Sequence, residues 1–241
     1  MNSSHMGPPW VVFDLDGTLV DSEPNAYESA RLLLERYGVP DFTWEQNARF
    51  IGISNLEALT VLRTEYAIEA PVDELLAGQE AIYLELARTS TEVFPRMGRF
   101  VEMLHARGVG MAVASGSSLA VIEAVLKSTG LDAYLTEYVS AEEVARGKPE
   151  PDVFLEAARR LGAAPADCVV VEDAAPGARA AHAAGMRCIA VPYVPATAGD
   201  PAFAAAGLLF PGGQDEFTAE AAFAWLFPGS VPVASGRNAA S

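Results

Sequence analysis

Hydrophobic positions in this chain fall into two patterns. Short, β-branched runs end abruptly in polar or glycine-bearing loops, at 10–13, 109–114, 168–171 and 188–191. Continuous apolar runs of this length predict strands buried on both faces. Between them lie stretches with helical spacing, at 100–107, 119–129, 151–161 and 176–184. Gly108, Gly130, Gly162 and Gly185 each follow one of these, where a C-terminal glycine cap belongs. Strand and helix in repetition predict an α/β fold with a parallel, Rossmann-like sheet and right-handed crossovers. One segment breaks the alternation. Residues 26–37, 56–66 and 72–87 have helical patterning only, with no strand among them. The expected layout is an α/β core over 7–22 and 91–228, with an inserted all-helical cap domain at 23–90. Its hinges would fall near 21–24 and 91–95. A further helix is expected at 219–226 and a disordered tail at 229–241. Residues 1–6 resemble a tag remnant. Trp44 is expected in the core of the helical insert, and His105 and His182 at surface or packing positions.

Composition narrows the function. The chain has 241 residues, 51% of them hydrophobic, so it holds material for a sizeable core. Lys plus Arg number 16 and Asp plus Glu 32, giving a formal net charge of −16. So acidic a chain disfavours general binding to nucleic acid or an anionic membrane. It does not disfavour an anionic substrate whose charge is met by a cation or a cluster of donors. No apolar run approaches the roughly 20 residues that span a bilayer, and no secretory leader is expected. Cys168 and Cys188 each lie in or beside an apolar run and are expected as reduced core thiols. These features predict a cytoplasmic protein, a monomer in the simplest case.

Four short motifs carry chemistry. Asp14-Leu-Asp16-Gly-Thr18 follows the first strand directly. Carboxylates two residues apart on extended chain point the same way, and such a pair calls for a cation or a shared proton. Ser115-Gly116-Ser117-Ser118 follows the second strand and opens a helix, a natural phosphate cradle. Lys148 lies in a loop stiffened by Pro149 and Pro151, and Glu172-Asp173 ends a wholly apolar strand. Each motif is ordinary alone. In a parallel sheet, however, the carboxyl ends of the strands share one edge, and ligands bind there. All four motifs fall at that edge. Oxygen donors suit Mg2+, while lysine, hydroxyl and amides suit a phosphoryl group.

As an ordered set, the run 14–23, Ser115, the run 147–152 and Glu172-Asp173 resembles the four motifs of the haloacid dehalogenase superfamily. The likeness runs from about Trp10 to Val191 and is nearest to the branch of sugar-phosphate phosphatases and β-phosphoglucomutases. The resemblance implies a Mg2+-dependent phosphatase of a small phosphorylated metabolite, working through an aspartyl-phosphate. It implies that Asp14 is nucleophile and metal ligand. Asp16 would be general acid/base, with its main-chain carbonyl on the metal. Ser115, Gly116 and Lys148 would hold phosphate, and Asp173, with Glu172 beside it, would complete the metal site. Arg49, Gly52, Ser54 and Asn55 match a family-like loop expected to contact substrate. A β-phosphoglucomutase-like phosphomutase is the alternative. That branch usually carries a histidine in the first cap helix, and the histidines here are only His5, His105 and His182. A receiver-like phospho-aspartate module is more remote, since receivers are roughly half this length and lack a helical insert.

Overall fold

The structure is a computed structural model that describes residues 9–51 and 53–229. The expected tag remnant at 1–6 and all of the expected tail except Gly229 lie outside the described residues. In chain order the elements are β1 Trp10–Phe13, β2 Val20–Asp21, α1 Glu23–Arg36, α2 Trp44–Ala48, α3 Asn55–Glu65, α4 Val72–Ala87, β3 Glu92–Val93, α5 Pro95–Ala106, β4 Met111–Ser115 and α6 Leu119–Thr129. There follow β5 Glu137–Ser140, α7 Asp152–Leu161, β6 Cys168–Glu172, α8 Ala175–Ala183, β7 Arg187–Ala190, β8 Leu208–Leu209 and α9 Ala219–Leu226.

Six strands form one parallel sheet in the order β5-β4-β1-β6-β7-β8. The four apolar runs become β4, β1, β6 and β7, the inner strands. Alternation along β1 splits the core in two. Val11 and Phe13 pack toward Phe100, Ile122 and Phe223, while Val12 packs toward Phe154 and Ala181 on the other face. The edge strands β5 and β8 escape the apolar pattern because they are only partly covered. Helix α5 begins earlier than its apolar spacing suggests, because Pro95 at its start supplies a pre-set φ. The four glycines expected after helices all have positive φ, between 68° and 73°.

The helical segment has its own core of Leu33, Leu34, Leu59, Leu62, Leu75 and Ile82. It contains the short helix α2, which is too brief for periodicity to announce. Thr43 caps it and Gln46 closes a capping box, a signal the sequence does carry. Trp44 is not core. It is 41% exposed and sets its ring edge-on to Tyr27. The two connections between the helical segment and the sheet domain pair as an antiparallel ribbon, Val20 with Val93 and Asp21 with Glu92. No helix among the described residues is long and apolar enough to cross a membrane. Cys168 and Cys188 are buried and unpaired by any disulfide, and burial pushes their thiols up to about 11 and about 12.

Candidate active site

The strand order reverses direction at β1: the chain runs outward through β4 and β5, then returns to β6 on the other side. A crevice therefore opens past the carboxyl end of β1. Asp14 is the first residue beyond that strand, and its N–H continues the ladder by donating to Val171 O at 3.0 Å. Ser115 is the last residue of β4, and Glu172 the last of β6. Lys148 arrives from the loop before α7. Its Nζ donates to Asp14 Oδ1 at 2.5 Å and to Glu172 Oε1 at 2.6 Å. So residues 134 positions apart meet, as the sheet edge requires.

Glu172 is 1% exposed and fully engaged. Besides the lysine, it accepts the N–H groups of Asp173 and Ala174, each at 2.9 Å. Its carboxylate is thus turned to Lys148 and to the loop. Gly177 in α8 makes room for it: a Cβ there would lie 1.7 Å from Oε1. Asp173 accepts from the buried Thr18 hydroxyl at 3.0 Å. Gly17, with φ of +77°, makes the turn after Asp16, and a Cβ on it would stand 2.5 Å from Asp173 Oδ2. Backbone conformation and close approach together require glycine there.

Asp16 is held by three hydroxyls. Ser115 and Ser117 donate to Oδ2 at 3.2 and 2.7 Å, and Tyr83 of α4 donates to Oδ1 at 3.0 Å. Tyr83 was not visible as a site residue in the sequence, because nothing in a helix of mixed aliphatic and polar residues marks one tyrosine. Ser117, part of the expected phosphate cradle, instead turns its hydroxyl to Asp16. Gln214 is a third addition, donating to Gly17 O and Thr18 O at 3.2 and 3.1 Å.

The expected amide cradle at α6 is partly filled from within. Ser117 N–H donates to Ser115 Oγ at 2.9 Å, and Leu119 N–H to Glu142 at 3.1 Å. Gly116 is exposed, with open space where a side chain would be. Among the described residues, no hydrogen bond or ion pair joins the expected substrate contacts Arg49, Ser54 and Asn55 to the cluster. Arg49 pairs with Glu65 and lies over the Phe50 ring. Ser54 caps α3, and Asn55 is exposed on its first turn. Gly52 lies outside the described residues.

Electrostatics follow from burying more carboxylate than cation. Burial raises Asp14 to about 7; Lys148 opposes this, but Glu172 and Asp16 add to it. Burial pulls the other way at Lys148, yet the carboxylates of Asp14 and Glu172 outweigh it and hold the lysine protonated, above its ordinary range. Asp173 is raised well above the carboxylate range, by burial first and then by Glu172 and Asp14. Such a set fits a hard divalent cation. Among the described residues no three His, Cys, Asp or Glu side chains form a complete ligand set. With Glu172 committed to Lys148, Asp14 and Asp173 are the carboxylates left whose pKa is raised, and a hard cation such as Mg2+ suits few protein ligands because it retains water and substrate oxygens.

Known proteins resemble this chain over most of its length. Residues 9–185 match the family described as haloacid dehalogenase-like hydrolase. The chain is 36% identical over 186 residues to a bifunctional riboflavin kinase/FMN phosphatase of Arabidopsis thaliana, covering 77% of this chain but only 48% of that protein. It thus spans about half the length of that relative. It is 37% identical over 183 residues to hexitol phosphatase A of Escherichia coli, covering 75% of this chain and 81% of that one. A solved HAD family hydrolase from Deinococcus radiodurans, with bound phosphate and sodium, superposes with a TM-score of 0.69 at 28% identity, over 91% of this chain and 97% of that one. The chain belongs to the haloacid dehalogenase-like hydrolases.

Proposed function

We propose that this hydrolase is a Mg2+-dependent phosphatase of a small phosphorylated metabolite, acting through a phosphoryl group carried on Asp14. Its family and its phosphatase-named relatives make it a phosphoric monoester hydrolase. The observation that carries the finer reading is the meeting of Asp14 and Glu172 on Lys148 past β1, with Asp173 next to Glu172 in the chain. Asp14, Asp173 and the Asp16 carbonyl would hold Mg2+, which would neutralise charge on the transferred phosphoryl group. Lys148, Ser115 and Gly116 would bind the phosphoryl oxygens, with Glu172 fixing the lysine. An Asp14 oxygen then forms a bond to phosphorus as the ester P–O bond breaks. The Asp16 carboxyl gives its proton to the departing oxygen, and afterwards takes one from the water that hydrolyses the phospho-enzyme. The helical segment at 23–90 would act as the cap, contributing Tyr83 to the site and covering the crevice.

The test is phosphate release from a panel of phosphorylated metabolites with Mg2+, with excess EDTA, and with Mg2+ restored. The reading requires release that stops with chelator and returns with metal. Turnover undiminished in EDTA contradicts it. Isomerised substrate without net phosphate release would identify a phosphomutase instead.

A further inference from the structure

Tyr83 makes and breaks no bond in the phosphoryl transfer, yet its hydroxyl lies 3.0 Å from Asp16 Oδ1. The opposite oxygen is occupied by Ser115 and Ser117. Both oxygens of Asp16 are therefore gripped, and the plane of its carboxyl group is fixed. Two of the three donors come from the β4 loop. The third comes from a helix of the inserted segment, and that helix is pinned where it matters. Ala87, one turn beyond Tyr83, is fully buried, and its carbonyl accepts from Ser128 of α6 at 2.8 Å. Just past the helix, Asn25 donates to Thr91 at 3.0 Å and accepts from Ser90 at 3.0 Å. The Tyr83 ring itself packs on the main core. A hydroxyl so anchored is suited to hold a carboxyl group still.

We propose that Tyr83 is a positioning residue, orienting Asp16 so that its proton is aimed at the departing ester oxygen. The inference rests on the reading of Asp16 as proton donor. A carboxyl group free to rotate loses alignment with the leaving oxygen, and alignment is a large part of what a positioned acid contributes. Tyr83 matters most when substrate is bound, because Ser115 must then turn its hydroxyl toward the phosphoryl group. Asp16 is left with Ser117 on one oxygen and Tyr83 on the other. The step itself is unchanged: the Asp16 O–H bond breaks, the ester oxygen gains that proton, and phosphorus passes to Asp14.

The test compares phenyl phosphate with p-nitrophenyl phosphate, probes of similar shape whose leaving groups differ in their need for a proton. Rapid-quench bursts are measured with Mg2+ for the wild type, Tyr83→Phe, Asp16→Asn and the double variant. The expected result is a loss of about tenfold for Tyr83→Phe with phenyl phosphate, the net size of one ordinary hydrogen bond. The loss with p-nitrophenyl phosphate should stay under about twofold, with KM steady for both. The double variant should discriminate between the esters no more than Asp16→Asn alone, since Tyr83 acts through Asp16. Tyr83→Leu, which also removes the ring from the core, should melt lower yet show the same ester dependence. Equal loss on both esters in Tyr83→Phe, or a rise in KM alone, overturns the proposal while leaving Asp16 in its role. If Asp16→Asn itself fails to discriminate, the acid reading of Asp16 falls, and Tyr83's role with it.

Discussion

Lys148 shows how a single side chain holds the site together. It is the cation that Asp14 and Glu172 share at 2.5 and 2.6 Å, with both carboxylates buried. Lys148→Ala leaves two carboxylates facing each other without compensation, so a loss of about 3–5 kcal/mol in urea-denaturation stability is expected. A loss below about 1 kcal/mol would mean that water reaches the cluster and the pairing contributes little. Glu172 depends in turn on Gly177. In Gly177→Ala the new methyl group takes the place of Oε1, so the carboxylate must swing away from Lys148. Overpacking of this kind costs about 1–3 kcal/mol, and turnover should fall with it. A variant with native stability and full activity would show that Glu172 has another place to go. The acids were legible in the sequence because each stands where an apolar strand gives way to a loop, and the lysine because Pro149 and Pro151 follow it just before a helix. Tyr83 and Gln214 were not. Their contacts with Asp16 and with the Gly17–Thr18 turn arise only from tertiary packing, and neither lies in a motif.

At the level of elements, the inner strands were readable and the edge strands were not. Burial on both faces writes a continuous apolar run into β1, β4, β6 and β7. Strand β5, with Glu137 exposed and Tyr138 half-covered, writes no such run. The ribbon of β2 and β3 is two residues per strand, too short for any pattern. It matters nonetheless, because it closes the two ends of the helical segment onto each other beside Glu23. That residue opens α1, half-buried near Asp16 and Asp21. Burial chiefly, then those two charges, raises its pKa from 4.5 to about 7. Between these values the folded state holds more protons than the unfolded state, so the contribution of Glu23 to stability falls as pH rises, with the full cost present above about 7. Glu23→Gln removes that cost. Its melting temperature should gain on the wild type steadily between pH 5 and pH 8. A gain independent of pH would mean that Glu23 titrates normally in the folded protein.

For the whole molecule, topology does the work that no single motif does. Four unremarkable sequence signals, from Asp14 to Asp173, become one site because β1 lies between β4 and β6 at the point where the strand order reverses. The helical insert was legible from the absence of strands, while the local partners of Arg49 and Ser54 within it were not. Arg49 pairs with Glu65, and Ser54 serves as a helix cap. All of this turns on the proposal that Asp14 carries the phosphoryl group. Its most direct test is acid quench of the Asp16→Asn variant during turnover of p-nitrophenyl phosphate with Mg2+, followed by mass spectrometry of the peptides. One phosphoryl group is expected on Asp14, accumulating because the hydrolytic step has lost its base. No label and no turnover are expected in Asp14→Asn, which should melt no lower than the wild type because a carboxylate raised by burial is gone. A label on another residue, or an Asp14→Asn variant retaining more than about a tenth of the wild-type rate, a barrier change of only about 1.4 kcal/mol, would contradict the proposal.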